Sequence, residues 1–291
     1  MTLSAPMRCS ALAEELGEPM IGTVEQRTRW LLVEDRGAWG HDAVADVLGS
    51  ELAAALKSLR VRALLIRRRE GDPAADAVRR VILVDTVTRE MAAREIHSVA
   101  ELEPSSLASA PVSGFGAAVG GPTFLVCGNG RRDACCAVRG RALLNALAAG
   151  HAERTWECTH LGGHRFAANL VCLPDGFVYG RVSPADGPRL ADEYISGRVD
   201  PSQLRGRSAW PAPAQVAEHH VRLVEGLDAT SAVELVSAEV DGDRAEVTLL
   251  ASGAARRIVL QAEPMTPPRP TSCRADELEE PLHWRVVGMT S

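Results

Sequence analysis

The stretch TFLVCGNGRRDACCAVRGRALLNALAAGHAERTWECTH, residues 123–160, contains a strand, a cysteine-rich loop, a helix and a second strand in succession. Residues 123–127 form an apolar run of strand length that leads directly into the cysteine loop. Residues 139–151 predict a strong helix, and residues 154–160 predict a short strand that leads into a loop with two histidines. The pattern therefore places residues of metal-ligand type at the ends of two successive strands.

The region that precedes this stretch has a similar layout. A strand is predicted at 29–35, an amphipathic helix at 45–59, and two further strands at 62–69 and 79–87. Because a helix connects the first two strands, we expect them to pair in parallel. Gly and Pro predict a turn at 70–77, between the last two strands.

The composition along the chain predicts three regions. A segment rich in Gly, Pro and Ser, residues 109–122, is the best candidate for a linker. We therefore expect an N-terminal α/β half at 1–118, a central domain at 119–205, and a C-terminal α+β extension at 206–291. In that extension the pattern predicts a helix and a β-meander, followed by a Pro-rich surface segment at 266–281.

The overall composition limits the classes of function. The chain has 291 residues and is 46% hydrophobic but only 4% aromatic, which favours a core of Ala, Val and Leu in α/β layers. A net charge of −6, with a basic run only at 67–69, argues against nucleic acid as a partner. We expect neither a membrane span nor a secretory signal, and therefore a cytoplasmic protein. The chain has seven cysteines, which do not predict a disulfide framework in a reducing compartment; clustered cysteines there are more often metal ligands or redox groups.

Thiol and imidazole side chains are concentrated in the two loops of the opening stretch. Thiolate sulfur and imidazole nitrogen are ligands of Zn²⁺ and of iron–sulfur clusters. The Gly-Asn-Gly at 128–130 lets the backbone fold closely around an inorganic core, and Arg131 and Arg132 supply positive charge beside the thiolates. The candidate ligands are Cys127, Cys135, Cys136, His160 and His164.

The two histidines are separated by Leu-Gly-Gly. On a regular helix His160 and His164 would share one face, but each intervening glycine costs ~1 kcal/mol relative to alanine. A tight loop that directs both imidazoles toward one point is favoured.

Two motifs carry a resemblance to a known family. CGNGRRDACCA at 127–137, followed by HLGGHRFAANL at 160–170, resembles the sucrase/ferredoxin-like family. The resemblance covers roughly residues 120–200 and extends more loosely to WLLVEDRGAWG at 30–40. It implies a thioredoxin-like ferredoxin domain that holds a [2Fe–2S] cluster through two cysteines and two histidines. The N-terminal half would then be a degenerate thioredoxin-like unit.

The ligands that this resemblance implies are Cys127, Cys136, His160 and His164; Cys135 lies where many relatives have another residue. The implied role is one-electron transfer between a reductase and an acceptor, with a redox partner such as a flavoprotein reductase. An electron carrier is favoured over a substrate-transforming enzyme, and the enzyme question stays open. With two neutral imidazoles among its ligands, the cluster should have a potential above the ~−400 mV of plant-type ferredoxins.

Other functions remain open at this point. Zn²⁺ bound by the same four residues is the alternative cofactor, although C-x8-C does not match the spacing of common zinc fingers. A thiol-redox protein that uses Cys127 or the adjacent pair Cys135 and Cys136 is a third hypothesis, weakened by the lack of C-x-x-C. No chemical motif occurs at 1–115, which leaves a binding role open for that half.

Five further residues are expected to support the site or to replace a ligand: Cys135, Arg132, Arg165, Asn169 and Cys158. Arg165 and Asn169 would hydrogen-bond the sulfides or orient the histidine loop, although surface or capping roles fit them equally. Cys158 is an alternative ligand because of its position near His160, but its apolar strand favours a packing role. Cys9 and Cys273 are expected on the surface or in loops.

Overall fold

Two β-sheets with packed helices form the described part of the chain, residues 8–68, 78–275 and 277–290 of the computed structural model. The turn predicted at 70–77 lies outside these residues. The helices are α1 (Cys9–Glu15), α2 (Ala43–Leu48), α3 (Ser50–Ser58), α4 (Pro104–Ser109), α5 (Arg141–His151), α6 (Asp186–Ile195) and α7 (Ala212–Glu225). The strands are β1 (Arg29–Glu34), β2 (Val61–Arg67), β3 (Arg79–Asp85), β4 (Glu90–Ile96), β5 (Ala117–Ala118), β6 (Thr123–Cys127), β7 (Thr155–Cys158), β8 (Leu170–Leu173), β9 (Phe177–Tyr179), β10 (Leu204–Arg207), β11 (Val233–Asp241), β12 (Arg244–Ala251), β13 (Ala254–Pro264) and β14 (Leu282–Thr290).

The larger sheet is mixed. Within the described ranges its ten strands follow the order β10-β9-β8-β6-β7-β2-β1-β3-β4-β5. Strands β1 and β2 run parallel, with Leu32 opposite Leu64, and β6 and β7 run parallel, with Cys127 opposite Cys158. Helices connect the strands of both parallel pairs, as such crossovers require. The predicted α/β class and the predicted parallel pairing of the first two strands are confirmed.

One antiparallel contact joins the two α/β halves. Strand β2 pairs with β7, with Ile66 opposite Cys158. The linker candidate at 109–122 contributes β5, which pairs with β4 at the edge of the same sheet. Residues 1–118 and 119–205 therefore share one sheet, and the division between them stays a prediction.

Three elements differ from those that the sequence pattern predicts. The helix predicted at 45–59 is two helices, because Gly49 adopts a φ of 85° between α2 and α3. The Ala-containing sequence of β4 has low β-propensity, so the pattern does not predict this strand. The last residues of the chain add β14 to the predicted three-stranded meander.

The second sheet consists of β11 to β14 in antiparallel order, and α7 packs across it. The buried face of α7, which includes Ala217 and Val221, contacts Val247 and Ile258 of the sheet. The helix ends at Gly226, whose φ of 67° is left-handed and suits glycine.

A buried ion network connects α7 to the larger sheet. Glu218 accepts hydrogen bonds from Arg222 at 2.9 and 3.1 Å, and its carboxylate lies 3.3 Å from the guanidinium of Arg207 in β10. The side chains of Glu218 and Arg222 are 0% exposed and that of Arg207 is 3% exposed. One carboxylate therefore balances two guanidinium groups that are shielded from water.

We expect Glu218→Ala to lower the free energy of unfolding by ~3–5 kcal/mol, because both guanidinium groups lose their buried counter-charge. Urea unfolding followed by tryptophan fluorescence measures the change. Glu246→Ala removes the exposed pair with Arg257 and is the control, with little change expected. Equal unfolding midpoints for the two variants would contradict the role of Glu218.

Candidate metal centre

The parallel pairing of β6 with β7 brings the cysteine loop and the histidine loop to one edge of the sheet. Cys127 ends β6 and lies opposite Cys158, which ends β7. Beyond β7, the N–H of Thr159 donates to the carbonyl of Leu65 at 2.9 Å, and its hydroxyl accepts from the Leu65 N–H at 3.0 Å. His160 is the next residue, so it leaves the sheet near the end of β6.

Asn129 shapes the cysteine loop. Its Oδ1 accepts from the N–H groups of Arg131 and Arg132 at 3.2 and 3.3 Å, and its Nδ2 donates to the carbonyl of Gly40 at 3.2 Å. The chain then forms one π-helical turn, Cys136–Gly140, that continues into α5. Single π-turns of this kind are frequent at functional sites.

Gly140 lets this turn approach β6. A Cβ at Gly140 would overlap the carbonyl oxygen of Cys127, so only glycine permits the contact. The approach brings Cys136 into side-chain hydrogen-bond contact with Cys127. Both side chains are 2% exposed and belong to the apolar core on one face of the larger sheet.

The conformation of the histidine loop depends on its two glycines and on Asn169. Gly162 and Gly163 adopt φ values of 85° and 65°, in the left-handed region that favours glycine. Asn169 is 1% exposed, and its Nδ2 donates to the Gly163 carbonyl at 3.0 Å. The segment between the two histidines is therefore a tight loop rather than a helix.

Three of the four expected ligands converge. One ligand atom from each of Cys127, Cys136 and His160 lies within 4.8 Å of the others. His164 stands outside this group, with its ring stacked on that of His160 at a centroid distance of 4.4 Å and an interplanar angle of 25°. The structure thus places Cys136, and not Cys135, beside Cys127.

A hydrogen bond couples the side chains of Cys127 and Cys136. A hydrogen bond from the thiol of Cys136, together with contact to His160, holds the pKa of Cys127 well below its usual range. The pKa of Cys136 is raised, because its thiol donates to Cys127 and because it is buried. Burial and the neighbouring His160 lower the pKa of His164 to about 4. A metal ion binds the deprotonated form of a thiol, so metal binding here would release thiol protons.

Both imidazoles carry a nitrogen without a partner. The Nδ1 atoms of His160 and His164 are buried and make no hydrogen bond to the described residues. Such buried polar atoms are rare and call for an explanation, such as an ion. The donor set of two sulfurs and two imidazoles fits a zinc ion or an iron–sulfur cluster.

The residues expected to support the site make contacts with different partners. Arg132 donates to Asp42 at 3.1 Å, and Arg165 donates to the buried carboxylate of Glu18 at 2.7 Å. Cys158 is 0% exposed and burial raises its thiol pKa, in agreement with a packing role. Among the five candidates, Asn169 makes the contact that orients the histidine loop.

Cys135 belongs to a different group of thiols. Its Sγ lies 3.6 Å from that of Cys9 and 3.2 Å from that of Cys273. Cys273 is exposed, as expected, but the expectation of a surface or loop position for Cys9 is wrong. Cys9 begins α1 and is 2% exposed, because it packs against Cys135 and Ala167.

Arg205 is the supporting residue that the sequence did not reveal. It lies in β10, is 3% exposed, and donates to Oδ1 of Asn169 at 2.8 Å and to the carbonyl of Thr23 at 3.0 Å. Burial and nearby Arg165 lower its pKa to about 9. No motif spacing connects β10 with the histidine loop, so only the sheet order places Arg205 there.

The sequence model of the sucrase/ferredoxin-like family matches residues 20–206, a range that contains both loops and Arg205. The chain belongs to the sucrase/ferredoxin-like family. Membership confirms the resemblance carried by the two motifs.

Two curated relatives match shorter parts of the chain. Altered inheritance of mitochondria protein 32 of Meyerozyma guilliermondii is 35% identical over 86 residues, which cover 26% of this chain and 30% of the relative. The protein of the same name from Eremothecium gossypii is 30% identical over 118 residues, which cover 32% of this chain and 38% of the relative. The match thus spans well under half the length of either relative. No solved structure matches the chain.

These comparisons correct the expected function. The matched relatives are named for altered inheritance of mitochondria and not as [2Fe–2S] electron carriers, and membership of the sucrase/ferredoxin-like family does not demonstrate electron transfer. The prediction of a one-electron carrier between a reductase and an acceptor is therefore wrong. The partner and the cytoplasmic location stay predictions. Within the described residues, no helix has the length and apolar character needed to cross a membrane.

We expect Gly163→Ala to destabilise the protein by at least ~1 kcal/mol, because alanine disfavours a φ of 65°. The new Cβ would also press on the buried guanidinium of Arg205. Chemical unfolding measures the change. The control is Gly150→Ala, where a Cβ would meet open space in α5 and a gain of ~0.5–1 kcal/mol is expected. If Gly163→Ala were as stable as Gly150→Ala, the loop would not depend on this glycine.

Proposed function

We propose that this protein binds a metal centre through Cys127, Cys136, His160 and His164, and that the centre is a [2Fe–2S] cluster. The observation that carries the proposal is the convergence of two thiols and an imidazole within 4.8 Å, beside a second imidazole whose buried Nδ1 has no described partner. Thiolates and imidazoles together are the ligand types of bis-histidine [2Fe–2S] centres.

The position of His164 favours the cluster over a single ion. A tetrahedral zinc ion with Zn–S distances of ~2.3 Å needs its four ligand atoms within roughly 4 Å of one another. Cys127, Cys136 and His160 approach this condition, whereas His164 lies outside their group. A two-iron core is larger than a single zinc ion. It therefore suits a set of four ligands in which one, His164, lies farther from the other three. Zn²⁺ remains the second candidate because three ligand atoms already converge.

The order of elements around the centre supports a thioredoxin-like arrangement as part of the proposal. Strands β6 and β7 are parallel and are connected by helix α5. The antiparallel pair β8 and β9 follows in the chain, and then helix α6. The two ligand loops leave the carboxyl ends of the parallel strands, which is where α/β folds commonly place their sites. In this arrangement Asn169 and Arg205 orient the histidine loop.

The experiment is an analysis of the full chain purified without oxygen. We expect roughly two irons and two acid-labile sulfides per chain, with visible sulfur-to-iron absorption that bleaches on reduction. Cys136→Ala and His160→Ala should lose most of this iron, because each removes a converging ligand. Cys172→Ala, which removes a buried thiol from another core cluster, is the control and should retain the iron.

The possible results separate the candidates. A colourless protein with stoichiometric zinc that Cys136→Ala abolishes would overturn the cluster and leave a zinc centre. A wild-type chain that binds neither metal after anaerobic reconstitution would overturn the proposal. The same metal content in Cys136→Ala and Cys172→Ala would show that Cys136 is not a ligand.

A further inference from the structure

Three cysteines outside the ligand set meet at a second place in the fold. The Sγ atoms of Cys9, Cys135 and Cys273 are separated by 3.6 Å, 3.2 Å and 3.4 Å. They come from α1, from the cysteine loop and from the segment between β13 and β14. Three parts of the chain that are remote in sequence thus contribute one thiol each.

The triangle of sulfur atoms has the size of a metal site. All three cysteines are free thiols, and an odd number of thiols cannot all be joined in disulfides. An ion at ~2.3 Å from each sulfur, the usual Zn–S distance, would lie about 1.2 Å out of the plane of the three atoms. The present sulfur positions therefore accept an ion with small adjustments only.

Asp133 completes the group. Its carboxylate is within the same 4.8 Å set of ligand atoms and the residue is 1% exposed. Oδ1 accepts from the N–H of Cys135 at 2.8 Å, and Oδ2 accepts from the N–H of Cys273 at 3.1 Å. Burial of a carboxylate is costly unless charge or hydrogen bonds compensate it, and a bound cation would supply the compensating charge.

We propose that Cys9, Cys135, Cys273 and Asp133 form a second metal site that binds Zn²⁺. Three thiolates suit both zinc and Cu(I), but a carboxylate oxygen in the fourth position favours zinc over the softer Cu(I) ion. The site is structural, because the protein supplies all four ligands and leaves no open position.

A zinc ion at the second site would stabilise the first centre, the proposed metal centre in the cysteine and histidine loops. Cys9 and Cys273 lie outside the range that the family model matches, so the flanking segments of this chain supply two of the four ligands. Cys135 directly precedes Cys136, a ligand of the proposed centre. Zinc at the second site would therefore tie α1 and the loop before β14 to the cysteine loop, and would fix the start of the turn that carries Cys136.

The first test uses the wild-type chain, so that it does not depend on the folding of a variant. The reduced, metal-stripped protein is alkylated with iodoacetamide in the absence and presence of zinc, and the peptide that contains Cys273 is quantified. Because Cys273 is exposed, it should react readily without metal, and zinc should slow the reaction at least tenfold. An unchanged rate would overturn the proposal, as would a disulfide between any two of the three cysteines in the protein before reduction.

The second test compares variants of the full chain by metal analysis after equilibration with zinc. Cys273→Ala should lose one zinc per chain relative to Cys172→Ala, a control that removes a thiol from a distant core cluster. Cys136→Ala should retain the zinc of the second site. Loss of metal from the first centre can therefore be distinguished from loss of metal from the second. Equal zinc in Cys273→Ala and Cys172→Ala would contradict the second site.

Discussion

The parallel register of β6 and β7 is the constraint on which the site depends. With Cys127 opposite Cys158, both strands end at the same level of the sheet, and the two ligand loops start next to each other. The antiparallel contact of β7 with β2 then connects this unit to the N-terminal half. A slip of one residue would reverse the faces of the side chains and move the sulfur of Cys127 away from the core that contains Cys136.

The ligand side chains come together because backbone segments near the ends of β6 and β7 approach each other closely. Gly140 permits contact between the π-helical turn and the carbonyl of Cys127, and Gly163 leaves room for the guanidinium of Arg205. Arg205 in turn orients Asn169, which holds the histidine loop. Substitution at a position that contacts no ligand can therefore change the ligand geometry, because the support extends through hydrogen bonds and packing.

The sequence predicted the elements that have strong local signals. The apolar run of β6, the helix that follows it and the short strand β7 all appear as expected. The Gly-Gly between the histidines indicated a loop, and the structure has one. The family resemblance favoured Cys136 over Cys135 as the ligand, and the structure places Cys136 beside Cys127 and Cys135 beside Cys9.

Features that depend on long-range contact could not be predicted in this way. Arg205 reaches the histidine loop because β10 joins the sheet beside β9, and no periodicity in the sequence indicates that neighbour. Cys9 and Cys273 meet Cys135 across more than a hundred residues, so their spacing resembles no local metal motif. The Pro-rich composition of 266–281 suggested a surface segment, yet Arg269 within it is 3% exposed.

We have proposed that the cysteine loop and the histidine loop bind one metal centre. Anomalous diffraction at the iron edge, from crystals grown without oxygen, tests it most directly because it locates the metal without reference to activity. A strong iron peak is expected between the sulfur atoms of Cys127 and Cys136 and the rings of His160 and His164. Crystals of iron-reconstituted protein that show no anomalous density between these side chains would contradict it.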